Sequence, residues 1–173
     1  MDTRERLLRA AAAVIRRDGP QALTLDAVSA QAGVSKGGLL YHFPSKNALL
    51  DALLAWWWER FEGEVDARDD GAPGGWIRAY LRTCDVAGMP EEERATELGL
   101  VAAIASAPER MDAARERYRA WQERVTAAAP DPVAATIVRL AADGLWFADV
   151  FDLAPPESEL RERVLARLEE LTR

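Results

Sequence analysis

Apolar residues recur along this chain at intervals of three and four, and no stretch alternates for long, so the pattern predicts helices throughout. Leu7, Ala11 and Val14, with Leu8 and Ile15 beside them, mark one face of a first helix that "DGP" (18–20) ends. Gly19 suits the left-handed position after a helix, and Pro20 cannot continue one. Thr24 is placed to cap "LDAVSAQA", with Asp26 in its first turn. "AGVS" (32–35) stops that helix after about two turns. Ser35 then caps "KGGLLYHF", which Pro44 terminates, and Ser45 caps a much longer helix from Lys46. The long helix carries the stripe Leu50, Leu54, Trp57, Phe61, Val65. On its wheel Trp58 shares a face with Asp51 and Glu62 and is expected to be exposed or at an interface. "DARDDGAPGG" (66–75) reads as a linker. Five further helices are predicted at about 75–88, 91–106, 109–128, 131–151 and 156–172, bounded by "GMP", "SAP", "APDP" and "APP". The expected fold class is all-α with about nine helices and no internal repeat.

Two short helices joined by a Gly-containing turn, with a third before them, make a helix-turn-helix unit whose second short helix enters the DNA major groove. That reading explains a segment that is otherwise odd. "SKGGLLYHFPSK" (35–46) holds adjacent glycines, each costing about 1 kcal/mol against alanine in a helix. It also holds the chain's single histidine and both of its lysines. Without side chains, Gly37 and Gly38 let the backbone approach base edges and phosphates. Lys36 and Lys46 bracket the helix, where they can neutralise phosphates, and Tyr41 and His42 add groups suited to phosphate oxygens. Lys46 opposes the dipole of the long helix but lies beside its first backbone amides, which can hold phosphate. Leu39 and Phe43, four apart, face the small core.

Charge changes the picture in one respect. The net charge of −7 argues against a nucleic-acid partner, but its distribution does not: residues 1–46 balance at +3 and the remaining 127 at −10. A basic head on an acidic body fits an anionic partner at one end. The single cysteine, Cys84, excludes an internal disulfide and fits a reducing compartment. The N-terminus shows no secretory pattern, and charged or glycine residues break every apolar run short of a membrane span. A cytoplasmic location with no membrane partner is expected. Nothing points to an enzyme: one histidine and one cysteine lie 42 residues apart, and there is no Gly-x-Ser-x-Gly elbow or Walker lysine. No metal and no cofactor is expected.

Residues 24–54, "TLDAVSAQAGVSKGGLLYHFPSKNALLDALL", resemble the DNA-binding signature of TetR-family transcriptional regulators. Thr24, Val28, the run Ala32 to Ser35, Leu39, His42, Phe43, Ser45, Lys46, Leu49 and Leu50 carry the match. Leu40 departs from it, standing where the family commonly has a tyrosine that contacts phosphate; Tyr41 then carries more of that load. The resemblance implies a DNA-binding domain at 1–46 and a helical ligand-binding and dimerisation domain at 47–173. It implies double-stranded DNA with a palindromic operator as partner, a homodimer, an unknown small-molecule effector and repression as the mode of control. The candidate DNA-contact residues are Thr24, Ser35, Lys36, Gly37, Gly38, Tyr41, His42 and Lys46.

The body bears on the remaining expectations. Helix 131–151 is apolar nearly all round and must be covered on more than one side. The last helix adds a stripe of its own, and two such helices meeting their symmetry mates form a four-helix interface. The candidate dimer residues are Ile137, Leu140, Gly144, Leu145, Phe147, Leu160, Val164 and Leu168; a larger monomeric core is the alternative. All six tryptophans lie beyond residue 55. Trp57, Trp76, Tyr80, Cys84, Leu98, Val101, Tyr118, Trp121 and Trp146 are candidates for a ligand pocket, although aromatics at helical spacing serve a plain core equally well. With Glu97 and Asp143 nearby, such a pocket suits a small apolar or cationic ligand. A body that binds a protein partner instead remains open.

Overall fold

A computed structural model describes residues 2–173 of the chain. Among these residues the regular structure is helical, as expected: α1 (Thr3–Asp18), α2 (Leu25–Ala32), α3 (Lys36–His42), α4 (Lys46–Arg68), α5 (Gly75–Cys84), α6 (Glu91–Ala105), α7 (Pro108–Ala128), α8 (Pro132–Phe151) and α9 (Ser158–Glu170). A single 3₁₀ turn at Pro20–Ala22, not foreseen, follows α1. Gly19 precedes it at φ 81°, and its N–H closes α1 on the Ile15 carbonyl.

The helices form two compact units. The first comprises the chain up to Glu59 together with Met89–Asp112; the second comprises Arg60–Gly88 and Ala113–Arg173. In the first, α1 packs on α2 and α6, and α2 packs on α3. Leu7, Leu8, Ala11, Val14 and Ile15 of α1 are buried, as are Val28, Leu39, Phe43, Leu53 and Leu100. Gly99 allows α6 to approach α1 closely, because a Cβ there would collide with the Ile15 side chain. Arg110 ties the unit from α7, donating to Asp51 at 2.7 Å and to Asn47 at 3.1 Å.

On α4 the buried face runs Leu50, Leu54, Trp58 rather than Leu50, Leu54, Trp57. Trp58 is therefore inside, contrary to expectation. Trp57 sits half-buried at the edge of the unit, where its indole N–H donates to Glu97 at 2.9 Å. A buried tryptophan N–H wants a polar partner, and Glu97 of the same unit supplies one.

In the second unit α5 packs on α8 and α9, and α8 packs on α9. The segment expected to be a linker is an ordered turn within this unit. Asp69 and Asp70 accept from the Gly71 and Ala72 amides, and Asp70 holds Arg78 through both oxygens at 3.1 Å. The Ala72 amide and Arg78 keep the Asp70 carboxyl below its usual range. Gly74, at φ 73°, lies so close to the Thr172 carbonyl that a side chain has no room. Arg161 of α9, almost fully buried, bridges Asp149 of α8 at 2.6 Å and Asp85 at the end of α5 at 2.5 Å. The Asp149 partnership, with Asp85, raises its pKa further despite burial.

Candidate nucleic-acid interface

The turn between α2 and α3 is built from its caps. The Thr24 hydroxyl accepts from the Ala27 amide at 3.1 Å and starts α2. Gly33 ends it in the left-handed conformation, φ 66°, and the Val34 amide reaches back to the Ser29 carbonyl at 3.0 Å. A residue with a Cβ resists that φ, which accounts for glycine at this turn. Ser35 then caps α3, accepting from the Gly38 amide at 3.1 Å. Ser45 repeats the device for α4, accepting from Ala48 at 3.1 Å.

These caps fix which way α3 faces. Leu39 and Phe43 point into the core of the first unit, and Arg4 lies 5.7 Å from the Phe43 ring centre. Lys36, Gly37, Gly38, Leu40 and Tyr41 form the solvent face, with Tyr41 87% exposed. His42 is half-buried, its ring edge-on to Tyr41 at 5.3 Å. Lys36 lies on Asp26 at 2.9 Å, an exposed pair worth little, so an approaching phosphate can take the ammonium from it cheaply. Lys46 and Thr24 are exposed at the starts of α4 and α2. The eight candidate contact residues thus fall on α3 with its cap Ser35, and at the starts of α2 and α4.

Several exposed basic residues of the head are already engaged within the protein. Arg9 is chelated by Glu5 at 2.7 Å, and Arg17 holds Asp18 and Gln31 at 2.7 and 2.9 Å. Arg6 reaches the Ala32 carbonyl at 3.5 Å, bracing α1 against the turn. Glu5 and Arg9 are one turn apart on α1, whereas the longer braces join residues with no periodic relation.

The proposed pocket residues divide between the units. Trp57, Leu98 and Val101 belong to the first. In the second, Trp76, Tyr80, Tyr118 and Trp121 join Phe61 in one ring cluster with centroids 4.8–5.8 Å apart. Three of them have polar partners: the Trp121 N–H donates to Glu62 at 2.7 Å, the Trp76 N–H to Asp66 at 3.2 Å, and the Tyr80 hydroxyl to Asp143 at 2.5 Å. Arg139 holds the other Asp143 oxygen at 2.7 Å. Burial outweighs these partners and raises the Asp143 pKa, and it raises the buried Cys84 thiol and both tyrosines as well. A cavity of about 280 Å³ lies elsewhere in this unit, lined by Ala87, Gly88, Asp149, Pro155, Pro156, Glu157, Ser158 and Arg161. None of the expected pocket residues lines it.

Of the candidate dimer residues, Ile137, Leu140 and Phe147 are exposed on α8 with Val133, and Leu160 is exposed on α9. Gly144 lies open among them and Val164 is half-buried. Leu145 and Leu168 are instead buried in the second unit, each on a side of its helix opposite to solvent, where α5, α8 and α9 pack together. Among the described residues no helix is long and apolar enough to cross a membrane, and no cluster of metal-ligating side chains occurs.

An all-helical chain whose first helices end in a capped, outward-facing reading helix is a helix-turn-helix regulator in architecture, and its relatives agree. Residues 7–53 match the family of bacterial regulatory proteins, tetR family, and residues 74–173 match the family described as Tetracyclin repressor-like, C-terminal domain. The chain belongs to the TetR family of DNA-binding transcriptional regulators, which are not enzymes. The HTH-type transcriptional regulator SrpR of Pseudomonas putida is 30% identical over 98 residues, covering 56% of this chain and 45% of SrpR; the match thus spans under half of that relative. A TetR-family member from Streptomyces coelicolor A3 superposes with a TM-score of 0.71 at 27% identity, over 97% of this chain and 98% of that one. The multidrug binding protein EbrR, solved with imidazole, gives 0.68 at 26% identity over 100% of this chain and 96% of its own; it has also been solved with malachite green.

Proposed function

We propose that this regulator is a homodimeric repressor that binds a palindromic operator and is released by a small apolar or cationic ligand. Residues 1–46 serve as the DNA-binding head and residues 47–173 as the ligand-binding and dimerisation body. The observation that carries the reading is the outer face of α3: exposed Lys36, Leu40 and Tyr41 around two glycines, on a helix whose opposite face is anchored by Leu39 and Phe43. Such a face reads base edges while Lys46 and Tyr41 hold phosphates. Two copies joined through α8 and α9 present two such faces, and two-fold proteins read half-sites about 34–36 Å apart. The exposed apolar stripe of Val133, Ile137, Leu140 and Phe147 supports the dimer, because soluble chains rarely leave such a run uncovered. EbrR, a multidrug binding protein solved with malachite green, supports the ligand class, as do the aromatic residues of the second unit. The ligand acts by binding one spacing of the two heads better than the other; only that difference in affinity can move the equilibrium. The regulator works in the cytoplasm, where its operator is.

The test is a selection from sheared genomic DNA of the source at about 0.1 M salt, a concentration at which phosphate contacts still count. A short two-fold motif is expected, and Tyr41→Ala and Lys46→Ala should each weaken binding to every duplex. Sequence-blind recovery, or unchanged affinity in both variants, would sink the assignment.

A further inference from the structure

Gly37 is the residue of α3 that nothing inside the protein accounts for. Its φ lies outside the left-handed region, so no turn demands glycine, and a Cβ built on it meets no atom within 4 Å. Gly38 differs: a Cβ there would press on the Ser35 hydroxyl at 3.3 Å, the group that caps the helix. Gly38 therefore serves the cap, whereas Gly37 keeps a space open on the outside of the protein, at a cost of about 1 kcal/mol in helix propensity.

What borders that space is unusual for a surface that meets DNA. Residues three and four along a helix are neighbours on its surface, so Leu40 and Tyr41 flank Gly37. Tyr41 is 87% exposed and Leu40 39%. Lys36, four residues before Leu40, stands on the same flank and is drawn aside to Asp26. The result is a shallow notch with bare backbone as its floor, an isobutyl group as one wall and a phenol as the other. Leucine can neither donate nor accept a hydrogen bond, so it reads no base edge by polar contact and holds no phosphate. Among the features a base pair shows in the major groove, one is apolar: the C5-methyl group of thymine.

We propose that Leu40, together with the Gly37 notch, receives a thymine methyl at one position of each half-site, which makes Leu40 a specificity-determining residue. This rests on the DNA-reading role of α3 proposed above. An alanine at 37 would fill the floor of the notch, and a polar residue at 40 would remove the wall that favours a methyl group over a hydrogen-bonding edge.

The experiment replaces thymine by uracil, which lacks only that methyl, one symmetric pair of positions at a time in the operator recovered by selection. Binding is followed by fluorescence anisotropy for the wild-type protein and for Leu40→Ala, whose fold is checked by its circular-dichroism melt. At one pair of positions uracil should weaken wild-type binding by about fourfold per half-site, the worth of one buried methyl group. Leu40→Ala should bind the thymine and uracil operators alike there. If wild-type protein tolerates uracil everywhere, or if Leu40→Ala keeps the full thymine preference, the inference is overturned while the regulator reading stands. If no two-fold motif is recovered at all, the reading itself fails and the inference with it.

Discussion

Gly37 and Gly38 look alike in the sequence, and both read as concessions to a close approach by DNA. The structure separates them by what an added methyl would touch. Gly37→Ala should leave the melting temperature unchanged or raise it, the gain in helix propensity being up to about 1 kcal/mol, while operator affinity falls. A thermal melt and an anisotropy titration check the two halves separately; an unchanged affinity would show that the vacancy serves nothing. Caps are the features a sequence announces most clearly, and Thr24, Ser35 and Ser45 all accept from a backbone amide three residues on, as their positions imply. Trp57 and Trp58 were not legible in the same way. Adjacent residues on a helix differ by about 100°, and which of two neighbouring indoles turns inward depends on what packs opposite, here a unit completed by a segment 30 residues further on.

At the scale of the element, helix existence was legible from periodicity and from Gly and Pro punctuation, and the ends of α6, α8 and α9 fell within two residues of expectation. The hydrogen-bonding pairs between elements were not, because long-range pairing leaves no periodic trace. Arg161 reads as one of several arginines flanking the last helix, yet it is the charge that α5, α8 and α9 share. Arg161→Ala should cost about 3 kcal/mol in urea denaturation, the low end of the range for breaking a buried pair, since Asp85 keeps some access to water. Asp143 makes a second prediction with a definite sign. Burial holds its folded-state pKa above the ordinary 3.8 in spite of Tyr80 and Arg139, so across that window the native protein keeps a proton that the unfolded chain has released. Its contribution to stability is fully present below 3.8 and is lost as pH rises through the raised value. Cys84, Tyr80 and Tyr118, all raised, face it without titrating there, and Arg139 donates to its second oxygen. Melts of wild type and Asp143→Asn should therefore differ in slope over the acid limb, with the wild type losing ground to the variant as pH rises.

For the whole molecule, the proposed dimer is a claim about what covers α8. Ile137→Glu combined with Leu140→Glu places carboxylates on the exposed stripe and leaves the buried residues of the helix alone. Sedimentation equilibrium should find the wild type dimeric and the variant monomeric, with helical content retained; a variant that still dimerises would move the interface elsewhere. The family was legible from α2 and α3, where the chemistry of the turn restricts the residues. The body was legible only as helices, because many apolar sequences fill such a bundle equally well.

The chain's path has one more consequence, for how such regulators can be recombined. The unit that holds α3 is made of two separate stretches: α6 returns to it, Gly99 nestles against Ile15, and Arg110 clasps Asp51 and Asn47. A single crossover that grafts the first few dozen residues onto a foreign body would leave the α1 surface at Ile15 facing a helix it did not evolve with. On the reading proposed above, changing the DNA sequence this protein prefers is therefore work for a few codons in α3, not for exchanging residues 1–46.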